Sequence, residues 1–166
     1  MEAQAGEPEP GEPNEANGFL ARHARLLRDS LRHWTGRDLL DAGAGDESAA
    51  ARRLFEAPFA VLSHGIGPDP CFTYANRTAL TLFAMTWSQM RATPSRLSAE
   101  APDREARARL LAEVAARGFI DDYAGVRIAR TGRRFVIRRA TVWTLTDAAG
   151  LHVGQAATFG HWDWLD

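Results

Sequence analysis

The sequence predicts an α+β fold: a five-stranded antiparallel sheet with helices on one face, preceded by an N-terminal amphipathic helix. Three observations carry this reading. The last third alternates strand-like runs with two tight turns, at 131–132 and 147–150, which makes two consecutive hairpins. An earlier hairpin is signalled by two Pro and two Gly within 65–70, set between apolar runs at 59–64 and 71–75. Between the two groups, residues 76–90 and 104–117 show helical rather than alternating periodicity. The earlier hairpin must join the later meander, because lone two-stranded pieces leave exposed edges.

Each element has its own signal. Residues 1–16 contain five Glu, no basic residue and no large apolar side chain after Met1, so a disordered acidic tail is expected. In 18–34, Leu20, Ala24, Leu27, Leu31 and Trp34 recur in steps of four and three, with Arg on the other faces and Gly36 as the stop. That helix suits either a homodimer contact or packing on its own sheet; two heptads fall short of a coiled coil. Residues 38–45 form a linker broken by Gly43 and Gly45. Asp46 caps a helix that ends before Pro58. The near-continuous apolar run of Ala60, Val61 and Leu62 fits a strand buried on both faces. The expected domain layout is therefore a tail at 1–16, a helix and linker at 17–45, and a main domain at 46–166.

The stretch 71–90 is the densest in signals. A strand at 71–75 delivers the chain to Asn76, placed as a helix N-cap, and Ala79, Leu80, Leu82 and Phe83 follow at helical spacing. Thr86 and Gln89 fit a capping box that starts a second short helix. Residues 91–102 are polar and irregular, with Ser95 and Arg96 either available for binding or satisfying their own backbone. Asp103 is placed to cap a helix over 104–117, with Gly118 just beyond it. Strands are expected at 123–130, 133–145 and 151–162.

Composition bounds the function. At 166 residues the chain suits one domain. Residues 17–166 carry all twenty Arg and sixteen acids, a net of about +4, too weak and dispersed to argue for direct nucleic-acid binding. The lone Cys71 excludes an intrachain disulfide and fits a reducing, cytoplasmic location. No apolar run approaches 18 residues, so neither a membrane span nor a signal peptide is indicated. His23, His33, His64, His152 and His161 are scattered, with no pair at metal-ligand spacing.

The order of elements over 55–159, with Tyr74–Ala75–Asn76 ending the second strand, resembles a PAS domain. A closer resemblance is to the PAS-like MEKHLA family, carried by APFAVLSHG (57–65), DPCFTYANRTALTLF (69–83), PSRLSAE (94–100) and GFIDDYAGVRI (118–128). TGRRF (131–135), ATVW (140–143) and GQAATF (154–159) carry the rest. That family occurs free-standing in bacteria and algae and at the C-terminus of plant homeodomain–leucine zipper transcription factors. The resemblance implies a sensory or regulatory role with no established reaction, and here without an attached output region. Cys71 begins a strand, unlike the helix-borne photoreactive Cys of flavin-binding light-oxygen-voltage domains, and is expected to be a plain buried or half-buried thiol. Haem-binding PAS domains place their ligand on the long helix, and 104–117 holds no His. No cofactor is identified.

The site expected from these residues is a small apolar pocket between helices and sheet, able to take a small molecule. Its candidate ligand-binding residues are Tyr74, Asn76, Phe83, Trp87, Arg127, Trp143 and Gln155, with Leu62, Leu82, Val126, Ile128, Ile137, Val142 and Phe159 as further walls. Two alternatives stand beside it. One is a pure interaction domain with a filled core, with Asn76 engaged in capping. The other is a small enzyme of the ketosteroid-isomerase-like α+β type, which needs an acid and a Tyr aimed inward. Asp121, Asp122 and Tyr123 as neighbours do not give that, since consecutive strand residues face opposite ways unless a bulge intervenes. One of the two acids is expected to partner Arg127, Arg138 or Arg139. Trp162 and Trp164 either staple the chain end or mark a contact surface.

Overall fold

The computed structural model describes residues 11–43 and 45–165. Most of the expected acidic tail lies outside them. Within 11–16, Asn14 caps a short turn over Glu15–Leu20 in a reciprocal capping box with Asn17.

Helix α1 (Ala21–Thr35) buries Ala24, Leu27 and Leu31, and Gly36 closes it at a φ of 73°. Its stripe faces the chain's own sheet, with Leu20 and Trp34 only partly covered. Ser30 Oγ donates to Thr146 O and accepts from Thr146 N, while Trp34 Nε1 donates to Thr144 O at 2.8 Å. The expected linker is anchored. Asp38 accepts from Arg28 at 2.8 and 2.9 Å and from Arg32 at 2.7 Å. Partial burial opposes its ionised form, yet these hydrogen bonds hold the Asp38 carboxyl well below the usual carboxylate range. Helix α2 (Glu47–Phe55) starts at Asp46, whose side chain accepts from Ala49 N at 2.8 Å.

Strands β1 (Ala60–His64) and β2 (Phe72–Ala75) form the first hairpin. Helices α3 (Arg77–Phe83) and α4 (Trp87–Arg91) follow, capped by Asn76 and Thr86. After a 3-10 turn at Ser95–Ser98 comes α5 (Ala101–Arg117). It begins three residues before the expected start. Pro102 suits a first turn, where its missing N–H costs nothing, and Asp103 sits inside that turn rather than at its cap.

The sheet runs β2-β1-β5-β4-β3, with β3 (Phe119–Ile128), β4 (Arg134–Thr146) and β5 (His152–Phe159) as the meander. The expected strand 151–162 is divided at Gly160. The remainder, β6 (His161–Trp164), continues along β4, pairing Arg138 with His161 and Phe135 with Trp164. The interruption lies between Thr141↔Thr158 and Arg138↔His161, where Arg139 takes a φ of 53°. The end tryptophans staple the terminus: Trp164 lies 5.2 Å from Phe135 with the Arg133 guanidinium 4.0 Å above it, and Trp162 packs on Phe159.

The two sides of the sheet carry different helices. Val142 packs with Leu110 and Val114 of α5, and Thr144 Oγ1 donates to Val114 O. Residues one step away on β4 face the opposite side, where Leu145 shares a surface with His23 and Leu26 of α1. No helix among the described residues is long and apolar enough to cross a membrane.

Candidate functional site

Between α5 and the sheet lies a cavity of about 50 Å³. Helix α5 brings Arg107, Leu110 and Leu111 to it, because positions 107, 110, 111 and 114 fall on one helical face. β3 supplies Tyr123 and Arg127, β4 supplies Ile137 and Val142, and β5 supplies Gln155, Ala157 and Phe159. Leu62, His64, Phe72, Phe83 and Ser98 complete the wall.

Of the candidate residues, Phe83, Arg127 and Gln155 line this cavity, as do the expected walls Leu62, Ile137, Val142 and Phe159. Gln155 Nε2 donates to Leu111 O at 2.9 Å, tying β5 to α5. Tyr74, Asn76, Trp87 and Trp143 lie elsewhere. Asn76 is fully buried and completely engaged. Its Oδ1 accepts from Val61 N and Ala79 N, and its Nδ2 donates to Leu54 O and Phe59 O, all within 2.8–3.1 Å. Tyr74 stacks on His23 at 5.3 Å and meets the edge of Trp87 at 5.9 Å. Trp143 is buried and neighbours Val142, so alternation turns it to the other face of the sheet. Of the loop candidates, Ser95 and Arg96 line an adjoining open groove of about 460 Å³, and Arg96 is ion-paired with Asp69 at 2.9 Å.

The acids before Tyr123 sit at a bulge, with Asp122 at a φ of 54° and the β3–β4 register shifting between Ile120 and Tyr123. The expected partner of these acids is corrected. Asp121 is held by Arg37 at 2.7 and 2.9 Å and by Thr141 Oγ1 at 2.7 Å, because α1 delivers Arg37 to this end of the sheet. Arg138 pairs instead with Asp163 at 2.6 Å.

Sequence reasoning passed over Arg107, Ser98 and Tyr123 as lining groups and read His64 as structural. A signal for Arg107 existed: it precedes Leu110, Leu111 and Val114 by three, four and seven residues, on the apolar stripe. His64 Nδ1 bonds to Gly65 O at 2.9 Å, so Nδ1 carries the proton, and the buried Nε2 has no hydrogen-bond partner among the described residues. Burial lowers the His64 pKa, and Arg107 lowers it further. Burial, with help from Arg127, also pushes Arg107 down to about 10, which leaves it cationic at neutral pH. Tyr123 leans across Gly125 towards Arg127, its hydroxyl 3.2 Å from Nη2 and its ring centroid 5.6 Å from the guanidinium carbon. A Cβ on Gly125 would collide with the Tyr123 hydroxyl, so this arrangement requires glycine. Cys71 is half-buried and outside the lining. Among the described residues no group of His, Cys, Asp and Glu is placed to hold a metal.

A family model described as the MEKHLA domain matches residues 21–164. The chain belongs to the MEKHLA domain family. The match takes in α1 together with the sheet. Among solved structures, this MEKHLA domain is similar to the PAS domain of a protein from Colwellia psychrerythraea. The TM-score is 0.58 at 14% identity, covering 66% of this chain and 90% of that one. It is also similar to a light-oxygen-voltage domain studied with a flavin analogue, at a TM-score of 0.55 and 17% identity over 71% of this chain and 85% of that one. The light-state dimer of the fungal blue-light photoreceptor Vivid aligns at a TM-score of 0.53 and 13% identity, over 94% and 98% of the two chains. At these identities the likeness establishes a PAS-like fold for the MEKHLA domain. No curated protein matches the sequence significantly.

Proposed function

We propose that this MEKHLA domain is a sensory module that takes a small molecule beneath α5 and reports its occupancy through the sheet to α1. The observation that supports it is the convergence of polar groups from α5, β1 and β3 on one cavity inside an otherwise apolar core. A route for the report runs through Thr144. Its hydroxyl donates to Val114 O of α5, while its carbonyl accepts from Trp34 Nε1 of α1. Gly118, which ends α5, lies against the Trp34 ring so closely that a Cβ there would overlap it. A ligand that favours one position of α5 therefore shifts the position of Trp34, provided it binds the two arrangements unequally.

A flavin, named for one structural neighbour, does not fit these residues. The cavity is a small fraction of the roughly 300–1,000 Å³ usual for ligand pockets. The enzyme alternative lacks its acid among the described residues, since none of their carboxylates lines the cavity, Asp121 is bound to Arg37, and Asp122 is exposed. The small volume favours a second reading, an interaction domain with a filled core. Native mass spectrometry and absorbance on protein purified without denaturant separate the two. Sensing predicts added mass, on purification or after incubation with a metabolite set. A bare polypeptide mass in both cases contradicts it and leaves the interaction domain.

A further inference from the structure

The cavity beneath α5 holds two guanidiniums and, among the described residues, no carboxylate. Arg127 is 8% exposed. Its hydrogen bonds go to Val126 O at 2.8 Å and to the Tyr123 hydroxyl at 3.2 Å, both neutral groups. Arg107 makes no hydrogen bond or ion pair among the described residues. Some arginines elsewhere find acids, as Arg28 and Arg32 do with Asp38 and Arg37 does with Asp121, while Arg91 and Arg104 bond to backbone carbonyls. Arg107 is half-buried, and two like charges facing one cavity repel each other as well as losing part of their hydration. Beside them His64 Nε2 is buried without a partner. Among the described residues the site lacks a negative charge.

We infer that this cavity is an anion site, which receives the carboxylate of a small organic acid between Arg107 and Arg127. The inference rests on the sensory reading above and names the chemical class of its ligand. A guanidinium presents its N–H groups as a planar fork that matches a carboxylate. The space admits a head group only. The body of the acid has its place in the adjoining groove, which shares His64, Arg107, Leu111 and Gln155 with the cavity and opens beside the exposed Ile66. Tyr123, folded over Gly125, aims Arg127 at the cavity.

The test is isothermal titration calorimetry on the full chain at pH 7 and low salt, with sodium benzoate and sodium butyrate against benzamide and butyramide. The acids bind and the amides bind at least about tenfold more weakly. Arg107→Gln and Arg127→Gln each weaken benzoate by about ten- to a hundredfold, the worth of one charge-assisted hydrogen bond. Circular dichroism reports whether each variant is folded. Arg107 lies on the surface helix α5, so Arg107→Gln decides the matter if the Arg127 variant fails to fold. Equal binding of acids and amides overturns the anion inference and leaves a ligand pocket. Acid binding undiminished in Arg107→Gln also overturns it. If neither the acids nor the amides bind, this inference falls, and the native mass measurement decides the sensory reading separately.

Discussion

The two faces of the sheet differ in how their charges are matched. Under α1, Arg28 and Arg32 close on Asp38, and Ser30 and Trp34 are bonded to β4. His23 there meets Ser63 Oγ at 3.0 Å. Under α5, among the described residues, Arg107 and Arg127 face a cavity without an acid, beside a His64 nitrogen with no partner. Tyr74 and Trp143 also bury an unbonded O–H or N–H, and on the α1 side Arg91 buries an unbonded Nε while its Nη1 donates to the Thr73 carbonyl. The contrast is therefore that under α5 two guanidiniums share one cavity. A face that keeps like charges together gives up stability, and such sites are where function is usually found.

Four perturbations break or sharpen this contrast. Asn76→Ala has the largest effect. It strips partners from two buried N–H groups and two carbonyls at once, and should cost about 4 kcal/mol or prevent folding, read by urea unfolding. Leu27→Ala, at a fully buried position of α1, should cost about 3 kcal/mol in the same assay and leave benzoate binding intact. Acidification comes next. Burial, helped by Arg91, lowers the His23 pKa to about 4, against 6.5 unfolded. The unfolded chain then binds more protons between those values, so stability is full above pH 6.5 and declines towards pH 4. With allowance for the exposed edge of the ring, this loss is about 2 kcal/mol. His64 shifts in the same direction and adds to it. Urea midpoints at pH 7.5 and pH 5 should move less in His23→Gln than in the wild type. The smallest effect, and the only stabilising one, is expected at Arg107.

Much of the fold was legible because its elements obey local rules. Asn76, Asp46 and Thr86 cap helices as their positions require, and the turns at 65–70, 131–132 and 147–150 separate antiparallel strands. The misses are long-range. Nothing local to Asp121 announces Arg37, which arrives from the other end of the chain. Asn76 was recognisable as a cap, but its amide donors to Leu54 and Phe59 depend on how α2 meets the sheet. The division at Gly160 depends on Arg139 across the ladder. Arg107 was hidden by its company, since Arg109 and Arg117 on the same helix are ordinary surface charges. Only its place on the stripe of Leu110, Leu111 and Val114 distinguished it.

The central claim is that Arg107 is held against its own stability. The most direct measurement is the thermal midpoint of ligand-free Arg107→Gln beside the wild type, at low ionic strength, with circular dichroism to confirm an unchanged fold. Removing one of two facing guanidiniums should raise the midpoint by a few degrees, equivalent to about 1 kcal/mol for a chain of this size. A lower midpoint would show that Arg107 is a structural residue and would contradict the account.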